Sequence, residues 1–159
     1  MKLTKGVALV LTGKEGCGKS SVARRIAAEN GSYIEVGMAK LKGFGLGKVL
    51  NQLPKTVIVE SFTQPTKDEL DKIKAWIAND SIAIDLKGQP QKTVPLPNFI
   101  FCSGLVDPFN VGVHDRRFQV FHLDNDNNEV IHEKSPSEFK EWVDKKIAML
   151  AANSAIVDY

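Results

Sequence analysis

Gly13-Lys14-Glu15-Gly16-Cys17-Gly18-Lys19-Ser20 fits the pattern G-x-x-x-x-G-K-[ST], the P-loop or Walker A signature. The spacing follows from the chemistry. Glycines at 13, 16 and 18 let the backbone turn tightly, so that successive N–H groups face phosphate oxygens. The positive end of the helix that follows faces the same anion. Lys19 is then the residue for the β- and γ-phosphates, and the Ser20 hydroxyl is the ligand for Mg²⁺. Residues 13 to 20, with Ser21 just inside the helix, form the predicted contacts to a nucleoside triphosphate.

Flanking elements must present that loop. Val7 to Thr12 is an unbroken apolar run of the kind that makes a buried strand. Ser20 to Asn30 places Val22, Ala23, Ile26 and Ala27 at helical spacing, and Gly31 ends the helix. Strand, glycine loop and helix occur in the order the motif needs. Further on, Lys55 to Ser61 (KTVIVES) is a β-branched strand ending in Glu60. A carboxylate there serves to bind Mg²⁺ or to orient water; the plainer alternative is a strand end facing solvent. Ser61 stands where many ATPases carry a second acid, and a single carboxylate, Glu60, does not easily serve both metal and water.

The remaining pattern is of strands between helices. Ser32 to Val36 reads as a short strand. The stretch MAKLKGFGLGKVL (38–50) carries three glycines, at 43, 45 and 47, which slightly favours an irregular connection over a mobile loop or short helix near a ligand. Thr66 and Glu69 form a capping box that opens a helix to about Asn79, with Leu70, Ile73, Trp76 and Ile77 on one face. Ser81 to Leu86 and Thr93 to Leu96 make a hairpin around a Gly/Pro turn, and Phe99 to Ser103 is another buried strand. A loop rich in Gly, Asp and Pro ends in Asp115-Arg116-Arg117 and leads to a strand over Phe118 to Leu123. After an exposed acidic turn (124–129), Ser135 and Glu138 form a second capping box, with Pro136 at the first position of a helix running to about Ala152. This is an α/β domain with a central, mostly parallel sheet.

Bulk properties set the bounds. The 159 residues suit one domain, 1–159, with 43% apolar and 25% charged residues and a net charge of +2. That charge leaves any polyanion surface to a local patch. Cys17 and Cys102 have no disulfide or metal pattern, which points to a reducing cytosol. Neither a signal peptide nor a membrane span is expected. His114, His122 and His132 lack ligand spacing. Two polar features stay open on residues alone. Lys87 and Lys92 on the hairpin turn suit a phosphate backbone or simply a solvated tip. Arg116 and Arg117 suit stabilisation of a transferring phosphoryl group or a salt bridge to Asp115.

The series GKEGCGKS, KAWIAND, IDLKG, FIFCSG and DRRF, in that order, resembles the superfamily 3 helicases of small viruses and especially the ATPase domains of phage replication primase–helicases. The resemblance covers about residues 7 to 123. It implies an AAA+-like P-loop NTPase with a β-hairpin before the sensor strand. The implied activity is ATP hydrolysis at subunit interfaces of a ring, usually hexameric, that moves on single-stranded DNA. It further implies other phage replication proteins as partners and a host bacterial cytoplasm. Lys19, Ser20 and Glu60 fall on the phosphate, metal and acidic positions, so Lys19, Glu60, Arg116 and Arg117 form the implied catalytic set. Arg116 matches the arginine finger offered to a neighbour, with Arg117 in reserve, and Lys87 and Lys92 sit on the hairpin that enters the ring channel. Ser103 ends the sensor strand beside the nucleotide, and Gly104 replaces the family's γ-phosphate-sensing asparagine. Two other readings are compatible with the loop: a small P-loop kinase with an arginine-bearing lid, and an ATP-binding module with little turnover, motivated by Gly104 and Ser61.

Overall fold

The computed structural model describes residues 1–110, 115–123 and 135–157. In chain order the strands are β1 (Ala8–Thr12), β2 (Tyr33–Gly37), β3 (Thr56–Glu60), β4 (Ser81–Ile84), β5 (Lys92–Pro95), β6 (Asn98–Ser103) and β7 (Phe118–His122). The helices are α1 (Lys19–Glu29), α2 (Phe44–Asn51), α3 (Lys67–Ala78) and α4 (Pro136–Val157). Five strands form one sheet in the order β2-β3-β6-β1-β7, and every pairing in it is parallel. β4 and β5 make a separate antiparallel hairpin, Ile84 opposite Lys92. This is the P-loop-type α/β architecture with a hairpin before the β6 strand that the sequence predicts.

Near-continuous apolar runs in β1, β3 and β6 are explained by burial on both faces. Alternation sorts them. Val10, Val57, Val59, Phe99 and Phe101 face one layer, with α2, α3 and the hairpin. Leu9, Leu11, Ile58, Ile100 and Cys102 face the other, with α1 and α4. Because β6 lies between β1 and β3, the strand ending in Glu60 reaches the glycine loop only across the end of β6, where Leu11 pairs with Cys102 and Thr12 with Ser103.

The capping box of α3 is present in both directions: Glu69 N–H donates to Thr66 Oγ1 at 3.2 Å and Thr66 N–H to Glu69 Oε1 at 3.1 Å. At α4, Glu138 N–H donates to Ser135 Oγ at 3.3 Å, and the helix runs beyond the expected end near Ala152 to Val157.

One expected connection is a helix. The stretch after β2 forms a 3-10 turn, Met38–Leu41, followed by α2. The glycines inside α2 are there for close approach. A Cβ at Gly45 would collide with the Lys40 carbonyl, and one at Gly47 would lie 2.5 Å from the Asp85 carbonyl oxygen of the hairpin. Each glycine costs about 1 kcal/mol of helix propensity. Seating α2 against the turn and the hairpin offsets this by burying Leu41, Val49 and Leu50.

His122 lies on β7, where its Nδ1 pairs with the Thr12 hydroxyl. His114, His132 and the acidic turn at 124–129 lie outside the described residues. Among the described residues no helix is long and apolar enough to cross a membrane, and no cluster of three or more His, Cys, Asp or Glu side chains is arranged to hold a metal.

Candidate functional site

β1 delivers the chain into the glycine loop and α1 carries it away. Gly13, Gly16 and Gly18 have φ of 149°, 80° and 89°, conformations that a side chain at Cβ disfavours. Gly13 N–H donates to the Ser103 carbonyl at 3.2 Å, tying the loop to β6. The Lys19 ammonium donates to the carbonyls of Gly13 (2.6 Å) and Lys14 (2.9 Å), so it spans the loop from inside. Cys17 is buried beneath.

One helical step on, Ser20 Oγ donates to Glu60 Oε2 at 2.8 Å. The other carboxylate oxygen, Oε1, is buried with no hydrogen-bond partner. Burial pushes the Glu60 carboxyl above the usual carboxylate range; the Ser20 bond opposes that shift, and a neighbouring acid, Glu35, reinforces it.

Glu35 was not legible as a site residue. It sits on β2 opposite Ile58, two positions before Gly37, which pairs with Glu60. The two carboxylates therefore share the sheet face covered by α1. Arg24, one turn after Ser20, grips Glu35 through two 2.7 Å bonds. That clamp holds Glu35 below the usual carboxylate range. Strand register brings these groups together, and register cannot be read from a short strand in isolation.

Above these groups opens a cleft of about 620 Å³ lined by the glycine loop, the end of β3, the end of β6 and Phe139 of α4. The volume falls within the range of small-molecule sites, about 300–1,000 Å³. Among the sequence-predicted residues, Glu15, Gly16, Gly18, Lys19, Ser20, Ser21 and Glu60 line it together. The donor set is hard oxygen: a hydroxyl and a carboxylate with one unshared oxygen. That suits Mg²⁺, which takes one or two protein oxygens and completes its shell with phosphate and water.

The wall opposite the loop differs from expectation. Ser103 is fully buried; its hydroxyl donates to the Phe62 carbonyl at 2.5 Å and accepts from Leu105 N–H at 3.1 Å. Its side chain braces the wall, and Cys102, Gly104 and Leu105 face the cleft instead. Beside them, Ser61 has a φ of 50°, a left-handed conformation costing a non-glycine residue on the order of 1 kcal/mol.

Arg116 and Arg117 lie at the other end of the sheet. Arg117 C=O accepts from Ala8 N–H at 2.7 Å, so the pair stands beside the start of β1. The glycine loop is five residues of strand away, about 17 Å. Arg117 holds Asp115 through bonds of 3.0 and 3.1 Å, which keeps the Asp115 carboxyl low. Arg116 is exposed and makes no ion pair among the described residues. The salt-bridge reading thus falls to Arg117 and leaves Arg116 free. Neither arginine is positioned as a lid over its own cleft.

The hairpin base is at this same end, with Lys5 Nζ donating to the carbonyls of Leu96 (3.1 Å) and Asp80 (3.4 Å). Lys87 and Lys92 are exposed at the opposite, turn end of the hairpin. A feature missed in sequence lies on α2, which packs on the hairpin through Gly47: Phe44, at the start of that helix, is 52% exposed.

Residues 11–117, about two thirds of the chain, match the model of a family of unknown function, DUF5906. The chain belongs to DUF5906. Its match spans the glycine loop, Glu60, the hairpin and both arginines. Among solved structures, this DUF5906 chain is similar to the apo C-terminal region (305–718) of NrS-1, with TM-score 0.63 and 22% identity over 92% of this chain and 36% of that one. A second apo form of that region gives TM-score 0.60 and 23% identity, covering 88% and 34%. JCV helicase in complex with a small molecule gives TM-score 0.55 and 16% identity, covering 91% and 42%. The likeness at these identities is one of fold, shared with a helicase. The chain spans about a third of the length of the NrS-1 region. No curated protein matches it.

Proposed function

We propose that this protein is an ATP-hydrolysing, helicase-like motor subunit of replication type, working as a head-to-tail ring with its catalytic sites between subunits. The observation that carries the reading is the Ser20–Glu60 bond of 2.8 Å beside Lys19 in a single cleft. Lys19 and Ser20 from the loop and Glu60, 40 residues further on, converge there on the chemistry their types require. The likeness to a helicase fold supports the same direction.

On this reading the loop N–H groups and Lys19 hold the phosphates, while Ser20 and Glu60 would hold Mg²⁺, which neutralises phosphate charge when bound. Lys19 leaves the Gly13 and Lys14 carbonyls to take up the anion. A water oxygen bonds to the γ-phosphorus as the bond to the β–γ bridging oxygen breaks. The electron pair departs with ADP, and the proton released by the water passes by way of Glu60 to solvent. Arg116 of a neighbouring subunit meets the charge that builds on the transferring group. Its place at the far end of the sheet supports supply in trans and counts against a kinase lid. Lys87 and Lys92, with Phe44 beside their hairpin, suit a single strand: cations for the backbone and a ring for a base.

A module that binds ATP with little turnover is the second reading, favoured by Gly104, which brings no side chain to the cleft wall. The deciding experiment is phosphate release from ATP, with and without single-stranded DNA, for the parent and Lys19→Ala. Release that DNA stimulates and Lys19→Ala abolishes is the expected result. ATP binding with no release selects the silent module, and steady release indifferent to DNA removes the motor reading.

A further inference from the structure

The cleft wall facing Lys19 has three contributions from the end of β6, namely Cys102, Gly104 and Leu105. None of them carries a side-chain oxygen or nitrogen. From these three residues the wall has no side-chain oxygen or nitrogen with which to orient a water molecule or register a terminal phosphoryl group. Two hydroxyls enter the same wall from the segment after β3: Ser61 and Thr63, both exposed and both lining the cleft.

Their placement is built rather than incidental. In an undisturbed strand Phe62 would share the face of Glu60, toward α1. The left-handed φ of 50° at Ser61 breaks that alternation. Phe62 drops into the opposite layer, where its ring packs on Phe101 (5.0 Å between centroids) and Phe109 (4.8 Å). The segment is then clamped to β6 at both polar groups of one residue. Phe62 N–H donates to the Cys102 carbonyl at 2.8 Å, and the Phe62 carbonyl accepts from Ser103 Oγ at 2.5 Å. With its middle residue anchored by ring and backbone, the hydroxyls on either side are fixed at the cleft edge, next to Glu60 and Gly104. Strain at a residue directly after the site carboxylate, held in place by surrounding packing, is the pattern of a functional constraint.

We propose that Ser61 and Thr63 are the groups that hydrogen-bond the terminal phosphoryl group and its attacking water, in the space beside Gly104. This rests on the nucleotide reading of the cleft. It makes that wall selective: a triphosphate meets both hydroxyls, and a diphosphate leaves them to solvent.

The test compares the full chain with Ser61→Ala, Thr63→Val and the double variant, measuring ADP affinity, ATP affinity and phosphate release. ADP affinity doubles as the check on folding. The expected result is ADP affinity within threefold of the parent in all variants. In the double variant the preference for ATP over ADP falls at least tenfold, and phosphate release also falls at least tenfold. Unchanged ATP preference and unchanged release in the double variant overturn the proposal while leaving the nucleotide site intact. A parent that binds neither ADP nor ATP, indistinguishable from Lys19→Ala, overturns the nucleotide reading and this proposal with it. Loss of ADP affinity in both single variants assigns the segment to structure and also overturns it.

Discussion

Glu60→Gln should make the protein more stable and less active. The substitution keeps the side chain's shape and keeps a partner for Ser20, but removes the charge. In the parent, Glu60 Oε1 is buried without a hydrogen bond. A buried acceptor left unsatisfied costs about 1–3 kcal/mol. The glutamine amide N–H can donate to the neighbouring Glu35 carboxylate where the parent oxygen has no partner. The side chain keeps its Ser20 bond and borders an open cleft, so the lower end applies, a gain of about 1 kcal/mol for the variant. For a chain of this size that is a rise in Tm of about 2–4 °C. The pH dependence has a definite sign. Burial raises the folded-state pKa of Glu60, so the folded protein keeps a proton that the unfolded chain has lost. Parent stability therefore falls as pH climbs from the ordinary carboxylate value through the raised one, and glutamine has no such loss. The Tm gap should be small at acid pH and open as pH rises. Thermal unfolding of both proteins between about pH 4 and about pH 8, without nucleotide, measures it. Phosphate release in the variant should fall by about 100-fold, the usual size of a lost acid–base contribution. A variant that melts below the parent throughout would refute the reasoning, because Glu60 would then be a satisfied structural group.

Gly47→Ala should destabilise the protein by about 1–3 kcal/mol, as overpacking does, because the new Cβ would lie 2.5 Å from the Asp85 carbonyl oxygen; a thermal melt checks this. Arg116→Ala should abolish phosphate release at unchanged Tm and unchanged ATP affinity. Mixed with Lys19→Ala, it should regain part of the activity, since intact Lys19 and intact Arg116 meet at some interfaces; no recovery would argue against supply in trans. Lys87→Ala and Lys92→Ala should each weaken single-stranded DNA binding and reduce the salt dependence of log K by about 0.7 per contact, measured by fluorescence titration across salt concentrations.

What the sequence made legible was whatever depends on local pattern. The glycine loop, its flanking strand and helix, the α3 capping box and the hairpin could all be read because turn chemistry and periodicity specify them within a few residues. The α2 helix was misread for the opposite reason. Gly45 and Gly47 look like helix breakers to a propensity argument, but their role is set by backbone from Lys40 and Asp85. Glu35 and Arg24 escaped notice because their clamp depends on the register of β2 against β3 and on the helical phase of α1. Ser103 shows the limit of a matched position: it stands at the end of the expected strand, and its hydroxyl is spent on Phe62. Ser61 was legible only as a missing acid, since nothing local announces a left-handed residue that is neither glycine nor asparagine.

Arg116 and the cleft lie at opposite ends of the same strands, and that polarity makes concentration a control variable. On the proposed reading, an isolated subunit has half of two different sites and a complete copy of neither. A row of n subunits joined head to tail completes n − 1 sites, and closing the row completes the last. Specific activity would then fall on dilution faster than nucleotide affinity does, and the hydrolysis rate would report how many subunits stand in line. A polymer of DNA that gathers subunits along itself would raise turnover without touching the chemistry at any single phosphate.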